Sequence, residues 1–278
     1  MFRTSFIIII LFPICLHAQV KEGAELELIH KAAVSLCSND TLRTIELMES
    51  YISEYGGPES DLGPYNTLGN IYYFGLHDTI NAVRVWKLGL DAGRSNYFNS
   101  FIHKCGLSKL AYQRANKADI CVELARHFTH IGEYDEALAY LQLADTDHLP
   151  TYGGCANGMI MYRTMLTLHF ATTFLAKGDT THAMQRLVEY FLSWESYSDD
   201  VTLLLRDVLL KYHTQSQIND EVRQAIKTLT IVKRPNSDTE QARFTLFGHS
   251  TTTYSSGTIR QARRSIREHP NIRLLQGL

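Results

Sequence analysis

From residue 24 onward, apolar side chains recur every three or four positions. Leu26, Ile29, Ala33 and Leu36 form one stripe, and Leu42, Ile45, Met48 and Ile52 the next. That spacing predicts helices with one buried face. Period-two alternation is scarce until the chain passes residue 232. Pro58, Pro64, Pro150 and Pro235 fall between the stripes, where a missing N–H does least harm. The pattern predicts an all-α fold.

A short signature recurs at the breaks between stripes. Asn39-Asp40-Thr41 precedes Thr44 and Met48, and His77-Asp78-Thr79 precedes Ala82 and Trp86. Gly132-Glu133-Tyr134 precedes Ala137 and Leu141, and Gly178-Asp179-Thr180 precedes Ala183 and Leu187. An acidic residue is followed four places later by a small one, and four further on by a large apolar one. An acidic or hydroxyl side chain at the turn accepts from the first free N–H groups of a helix, and its charge suits the positive helix end. One turn later the small residue lets two helices approach, and the large one fills the adjoining groove.

These residues resemble the tetratricopeptide repeat, a pair of antiparallel helices that stacks into a superhelix. The fullest match is Cys121 to Ala144, through Leu124-Ala125, Phe128, Gly132-Glu133-Tyr134, Ala137, Leu141 and Ala144. Tyr65 to Leu90 matches through Leu68-Gly69, Tyr72, Ala82 and Trp86, with a turn one residue longer. Phe170 to Tyr190 matches through Ala171, Phe174, Gly178-Asp179, Ala183 and Leu187, while Ala24 to Glu54 is degenerate. A less regular fifth pair is expected between Val201 and Val232. The resemblance implies an irregular helical-hairpin solenoid. The steps from Thr44 to Ala82, Ala137 and Ala183 are 38, 55 and 46 residues, against a family period of about 34. Residues 96–117 and 151–166 supply the extra material, as a longer first helix or an added short one.

Ahead of the helical pattern, Arg3 is followed by an apolar run from Phe6 to Leu16 and then by Leu16-His17-Ala18. Eleven residues fall short of the roughly 20 that span a bilayer. The layout predicts a secretory signal over residues 1–18, cut after Ala18, and an exported protein of a bacterial periplasm or beyond. Lipidation at Cys15 fits poorly, because Ile14 and Pro13 precede it. Cys37, Cys105, Cys121 and Cys155 remain; an even count permits three disulfide pairings. Each also lies in or beside an apolar stretch, where free cysteine packs as a small hydrophobe, and the latter is the expectation. No later segment is long and apolar enough to predict a transmembrane helix.

Composition changes the picture in one respect. The 278 residues are 45% hydrophobic and 20% charged, with a formal charge of −2, which excludes a disordered chain and predicts no nucleic-acid partner. That near-neutrality hides a division. Residues 19–232, the predicted solenoid, carry 18 basic and 26 acidic residues, while residues 233–278 carry eight basic and three acidic. In this last segment Phe244-Thr245-Leu246-Phe247 and the Thr/Ser run to Ser256 read as extended, and Ser256 or Thr258 as the cap of a helix through Glu268. Arg260, Arg263, Arg264 and Arg267 would share one face of that helix. The segment is expected to pack on its own solenoid as a cap, with an anionic partner as the alternative.

Catalytic signatures are missing. His127 and His130 sit on neighbouring turns without a third metal ligand, and no His-Glu-x-x-His, Gly-x-Ser-x-Gly or phosphate-binding loop occurs. Gly248-His249-Ser250 and Cys155 lack catalytic partners. No enzyme activity, cofactor or metal is predicted. The resemblance implies instead a concave groove lined by the first helix of each pair, holding a protein or peptide partner. The outward positions there are Asn66, Asn70 and Tyr73 in one pair and Arg126 and His130 in the next. Asn can bond a peptide backbone as donor and acceptor, and Arg126 could fork onto a carboxylate. Leu168, Thr172 and Leu175, at the matching places in the following pair, are mostly apolar, and the lysines with which some family members clamp a C-terminal carboxylate are absent. The alternative is a small-molecule or glycan-binding module using Tyr65, Tyr72 and Tyr73.

Overall fold

The computed structural model describes residues 23–93, 117–147, 156–193, 198–233, 240–254 and 258–278. The expected signal at 1–18, the insertions at 96–116 and 151–155, and Cys105 and Cys155 lie outside them. The fold is predominantly all-α, with one small three-stranded sheet among the described residues. Among the described residues, no helix is long and apolar enough to cross a membrane. Two compact units divide the chain, Met1–Ile120 and Cys121–Leu278.

In the first unit α1 (residues 23–37), α2 (Thr41–Tyr55), α3 (Leu62–Asn70) and α4 (Thr79–Gly89) follow in order, and α3 continues into a π-helical turn, Ile71–Gly75. Ile29, Met48, Tyr51, Leu68 and Trp86 are fully buried at its centre. Tyr51 is polar enough to need partners there. Its hydroxyl accepts the Asp61 N–H at 2.6 Å and donates to Glu25 at 3.1 Å, and burial raises its pKa. Asp61 in turn caps α3 by accepting from the Gly63 N–H at 2.7 Å. Cys37, half-buried at the end of α1, is disulfide-bonded. The free-thiol expectation therefore fails there, at a helix end where sulfur can reach another segment; it holds for Cys121, a buried free thiol.

The second unit takes in most of α5 (Lys117–His130), then α6 (Tyr134–Thr146), α7 (Ala156–Lys177), α8 (Thr180–Tyr190), α9 (Ser198–Leu210) and α10 (Gln215–Thr228). Residues 156–166 of the expected insertion belong to α7, which runs for 22 residues and packs against α6 and α8.

The four recurring breaks share one backbone form. Asn39, His77, Gly132 and Gly178 all take positive φ, between 56° and 85°. The acidic residue after each supplies the carbonyl that accepts from Thr44, Ala82, Ala137 or Ala183, at 2.9–3.2 Å. Asp40, Asp78 and Asp179 also cap their helices, accepting from the N–H three residues on. Glu133 makes no such side-chain bond, because its longer stem suits that geometry less well than Asp. All four small residues, and Met48, Trp86, Leu141 and Leu187 beyond them, are fully buried. At three breaks the acidic N–H reaches back five residues, to Ser35, Phe128 or Phe174. Asp78 reaches back six, to Tyr72. The extra residue expected in that turn is absorbed by the π-helical turn before it.

Past α10 the chain forms β1 (Thr230–Lys233), β2 (Glu240–Leu246) and β3 (His249–Tyr254), an antiparallel sheet in that order. The expected extended stretch is β2 and β3; β1 was not anticipated. Ala242, Phe244 and Leu246 are buried and alternate with exposed Arg243 and Thr245. Phe247 and Gly248, both at positive φ, make the two-residue turn between Leu246 and His249, the form that matches strand twist. Glu221 of α10 secures that turn by accepting the Phe247 N–H at 3.0 Å. Thr258 then caps α11 (Ile259–Glu268) through a full capping box, and α12 (Pro270–Leu275) follows. One apolar core runs from Ala171 on α7 through α8, α9, α10 and β2 to Ile266 and Leu275, crossing residue 232 without a break. The final segment packs on its own helices, as expected, but through Ala262, Ile266, Ile272 and Leu275, with Arg260, Arg264 and Arg267 left exposed.

Candidate functional site

Asn66, Asn70 and Tyr73 lie along α3 and its π-helical turn, and each is half-buried. Gly69, between the two asparagines, lies flat against the Trp86 indole. A Cβ there would stand 2.1 Å from Nε1 and 2.4 Å from Cδ1, so no side chain fits. The Oδ1 atoms of Asn66 and Asn70 are buried and have no hydrogen-bond partner among the described residues. An unmet buried acceptor costs about 1–3 kcal/mol. Rotating either amide outward would offer its oxygen to an incoming N–H.

The wider π-helical turn then carries the Tyr73 ring to 5.3 Å from that of Trp86 and 4.9 Å from that of Phe74. Phe74 is 48% exposed, and Leu76 and Ile80, just beyond, are also exposed. π-Helical turns of this kind are frequent at functional sites. The tyrosine surface expected at Tyr65, Tyr72 and Tyr73 is not there. Tyr65 is buried with its hydroxyl 3.0 Å from Ser60 Oγ, and Tyr72 is buried, donating to Glu49 at 2.8 Å. The phenol of Tyr72 is pushed up to about 12, by burial first and then by its bond to Glu49. These two rings fill the helix-facing side because they fall on the apolar stripe; only Tyr73 falls off it.

Arg126 and His130 are exposed on α5, in the second unit. Glu123 already holds the Arg126 guanidinium, with Nη1 donating at 2.8 and 3.2 Å. Burial raises the Glu123 carboxyl even against that charge. Across on α7, Thr173 Oγ1 donates to the His169 carbonyl at 2.9 Å and lies 2.8 Å from Thr129 Oγ1. Since the Thr173 proton is used, Thr129 donates. That bond ties α5 to α7 and sets His169 near Arg126. Burial, and next the Arg126 charge, lower His169 to about 4. His127 is lowered too, by burial and then by neighbouring His130. His127 and Phe128 are both half-buried, the ring of Phe128 stacking on Tyr140 at 5.6 Å.

Sequence reasoning missed Glu123 and His169. The i,i+3 spacing of Glu123 and Arg126 was a signal; the approach of His169 depends on tertiary packing. Leu168 and Leu175 are turned into the core while Thr172 is exposed, so the polar residues that α7 sets toward α5 are His169 and Thr173. Among the described residues, no three His, Cys, Asp or Glu side chains come together as metal ligands. His249 and Ser250 are successive residues of β3 and point to opposite sheet faces.

The half-buried His169, held neutral, makes stability depend on pH. An unfolded histidine takes a proton near 6.5, whereas His169 in the fold resists until about 4. Stability is therefore complete above pH 6.5 and falls as the pH drops through that window. His269, the cap of α12, is also lowered to about 4 by burial and acts in the same direction. Thermal melts should lose midpoint temperature between pH 6.5 and 4, and the slope should shrink in His169→Gln. An unchanged slope in that variant would refute the assignment.

No protein-family model matches this sequence, and no curated protein matches it.

Proposed function

We propose that the chain is an exported, non-enzymatic scaffold that binds a protein or peptide partner along a surface built from tetratricopeptide-like helix pairs. The observation that carries this reading is the stripe on α3: Asn66 and Asn70, with inward amide oxygens lacking donors, lead through Tyr73 to exposed Phe74. A peptide backbone offers the N–H groups those oxygens lack, and exposed aromatic surface is where binding energy concentrates. The shared form of the four breaks supports the repeat reading. The disulfide at Cys37 supports export, since disulfides persist in oxidising compartments. Arg126, in the second unit, is engaged by Glu123 and would meet a partner as an ion pair, with its guanidinium fork already in use.

The test is to capture partners by cross-linking in the cell envelope and to measure the affinity of the purified partner. Asn70→Ala with Tyr73→Ala is expected to weaken binding at least about tenfold, the range of one hot-spot residue. Unchanged affinity in the double variant would refute the surface.

A further inference from the structure

The arginine row of α11 is poorly explained by the fold. At about 100° per residue, Arg260, Arg264 and Arg267 fall within an arc of about 60°, opposite buried Ala262, and span about 10 Å. Four pairs of like charge stand at helical-neighbour spacing: 260 with 263 and 264, and 267 with 263 and 264. Each such pair is destabilising by about 0.2–0.5 kcal/mol. Arg260 also lies in the first turn, which has no acidic residue and where positive charge opposes the helix dipole. Only part of this charge is matched. Arg264 pairs with Glu268 at 2.9 Å, and Arg263 Nη2 donates to the Lys227 carbonyl at 2.5 Å. Arg260 and Arg267 have no partner among the described residues.

We infer that this ridge docks an acidic segment of a partner protein, with carboxylates at helical spacing matching Arg260, Arg264 and Arg267. Arginine forks pair with carboxylates two bonds at a time, and a row at i, i+4 and i+7 is the face one helix presents to another. A bilayer is a poorer occupant. The apolar face of α11 is buried in the core and cannot insert, and three or four charges alone give weak attachment. This surface is separate from the α3 stripe and stands whether or not that stripe binds.

The probe is a synthetic helical peptide with Glu at i, i+4 and i+7, beside the same peptide with Gln, titrated against the whole protein. The Glu peptide is expected to bind in a salt-sensitive manner and the Gln peptide not. Arg260→Ser with Arg267→Ser should lose about tenfold, while its melting temperature stays level or rises as repulsion is relieved. Arg43→Ser, which removes an exposed charge from the first unit, should change nothing. Equal binding of the two peptides, or full affinity in the double variant, would overturn the inference. So would tighter binding to phosphatidylcholine vesicles containing phosphatidylglycerol than to the peptide, or wild-type self-association that the double variant abolishes.

Discussion

Trp86→Ala is expected to cost the first unit about 3–5 kcal/mol, the range for emptying a fully buried aromatic site. The more telling result is the partner experiment at Gly69. In the wild type, Gly69→Ala should destabilise by about 1–3 kcal/mol, because its methyl must enter space held by the indole. In the Trp86→Ala background the same change should be neutral or stabilising, since alanine outranks glycine by about 1 kcal/mol in a helix. Chemical denaturation of the four proteins gives the coupling directly. If Gly69→Ala costs the same in both backgrounds, the close approach of α3 to the indole is not what fixes glycine there.

The second large effect lies at the end of α6. Asp145, 16% exposed at its side chain, receives Arg163 Nε from α7 at 3.4 Å and Arg186 Nη2 from α8 at 3.3 Å. The Arg186 guanidinium also sits 4.1 Å above the Phe170 ring. One carboxylate thus holds two cations from two helices. Asp145→Asn keeps the volume but leaves two guanidinium groups facing each other. A loss of about 2–4 kcal/mol is expected, approaching that for breaking a buried pair. Asp135→Asn, which removes an exposed partner of Lys177, should cost under about 1 kcal/mol. Arg163→Met should recover part of the loss in Asp145→Asn. Equal losses at Asp145 and Asp135 would show that the triad is ordinary surface pairing.

What could be read from the residues alone followed from how local each feature is. The breaks at Asp40, Asp78 and Asp179 were legible because a cap, a small residue and a large one fall within nine positions and act within one helix. The same local logic offered Ser256 or Thr258 as a helix cap, of which Thr258 caps α11, and an extended stretch from Phe244 to Ser256, described as strand to Tyr254. The placement of side chains between helices was less accessible. Asn66 and Asn70 were expected to face outward, yet they stand half-buried because α3 closes tightly on Trp86 through Gly69. Tyr65 and Tyr72 lie on the apolar stripe, and their hydroxyls alone made them look like surface. His169 acquires its meaning from Arg126, 43 positions earlier, and no spacing rule connects them. β1 was hidden because Thr230 to Lys233 is four residues long and acquires its register only from β2.

The way the second unit closes its core bears on the order in which the chain can fold. The Asn271 side chain donates to the Phe191 carbonyl, 80 residues earlier, and Gln215 Nε2 donates to the Leu275 carbonyl at 3.1 Å. Ile272 and Leu275 complete a cluster that begins at Ala171. A nascent chain reaching only to residue 258 therefore has β2 against α10 but lacks α12, which packs on α9, and α11, which packs on α10. Long-range closure of this kind is slow, because the loop must be drawn in before its contacts repay the loss of entropy. During synthesis the core of this unit is therefore completed only once α12 has emerged.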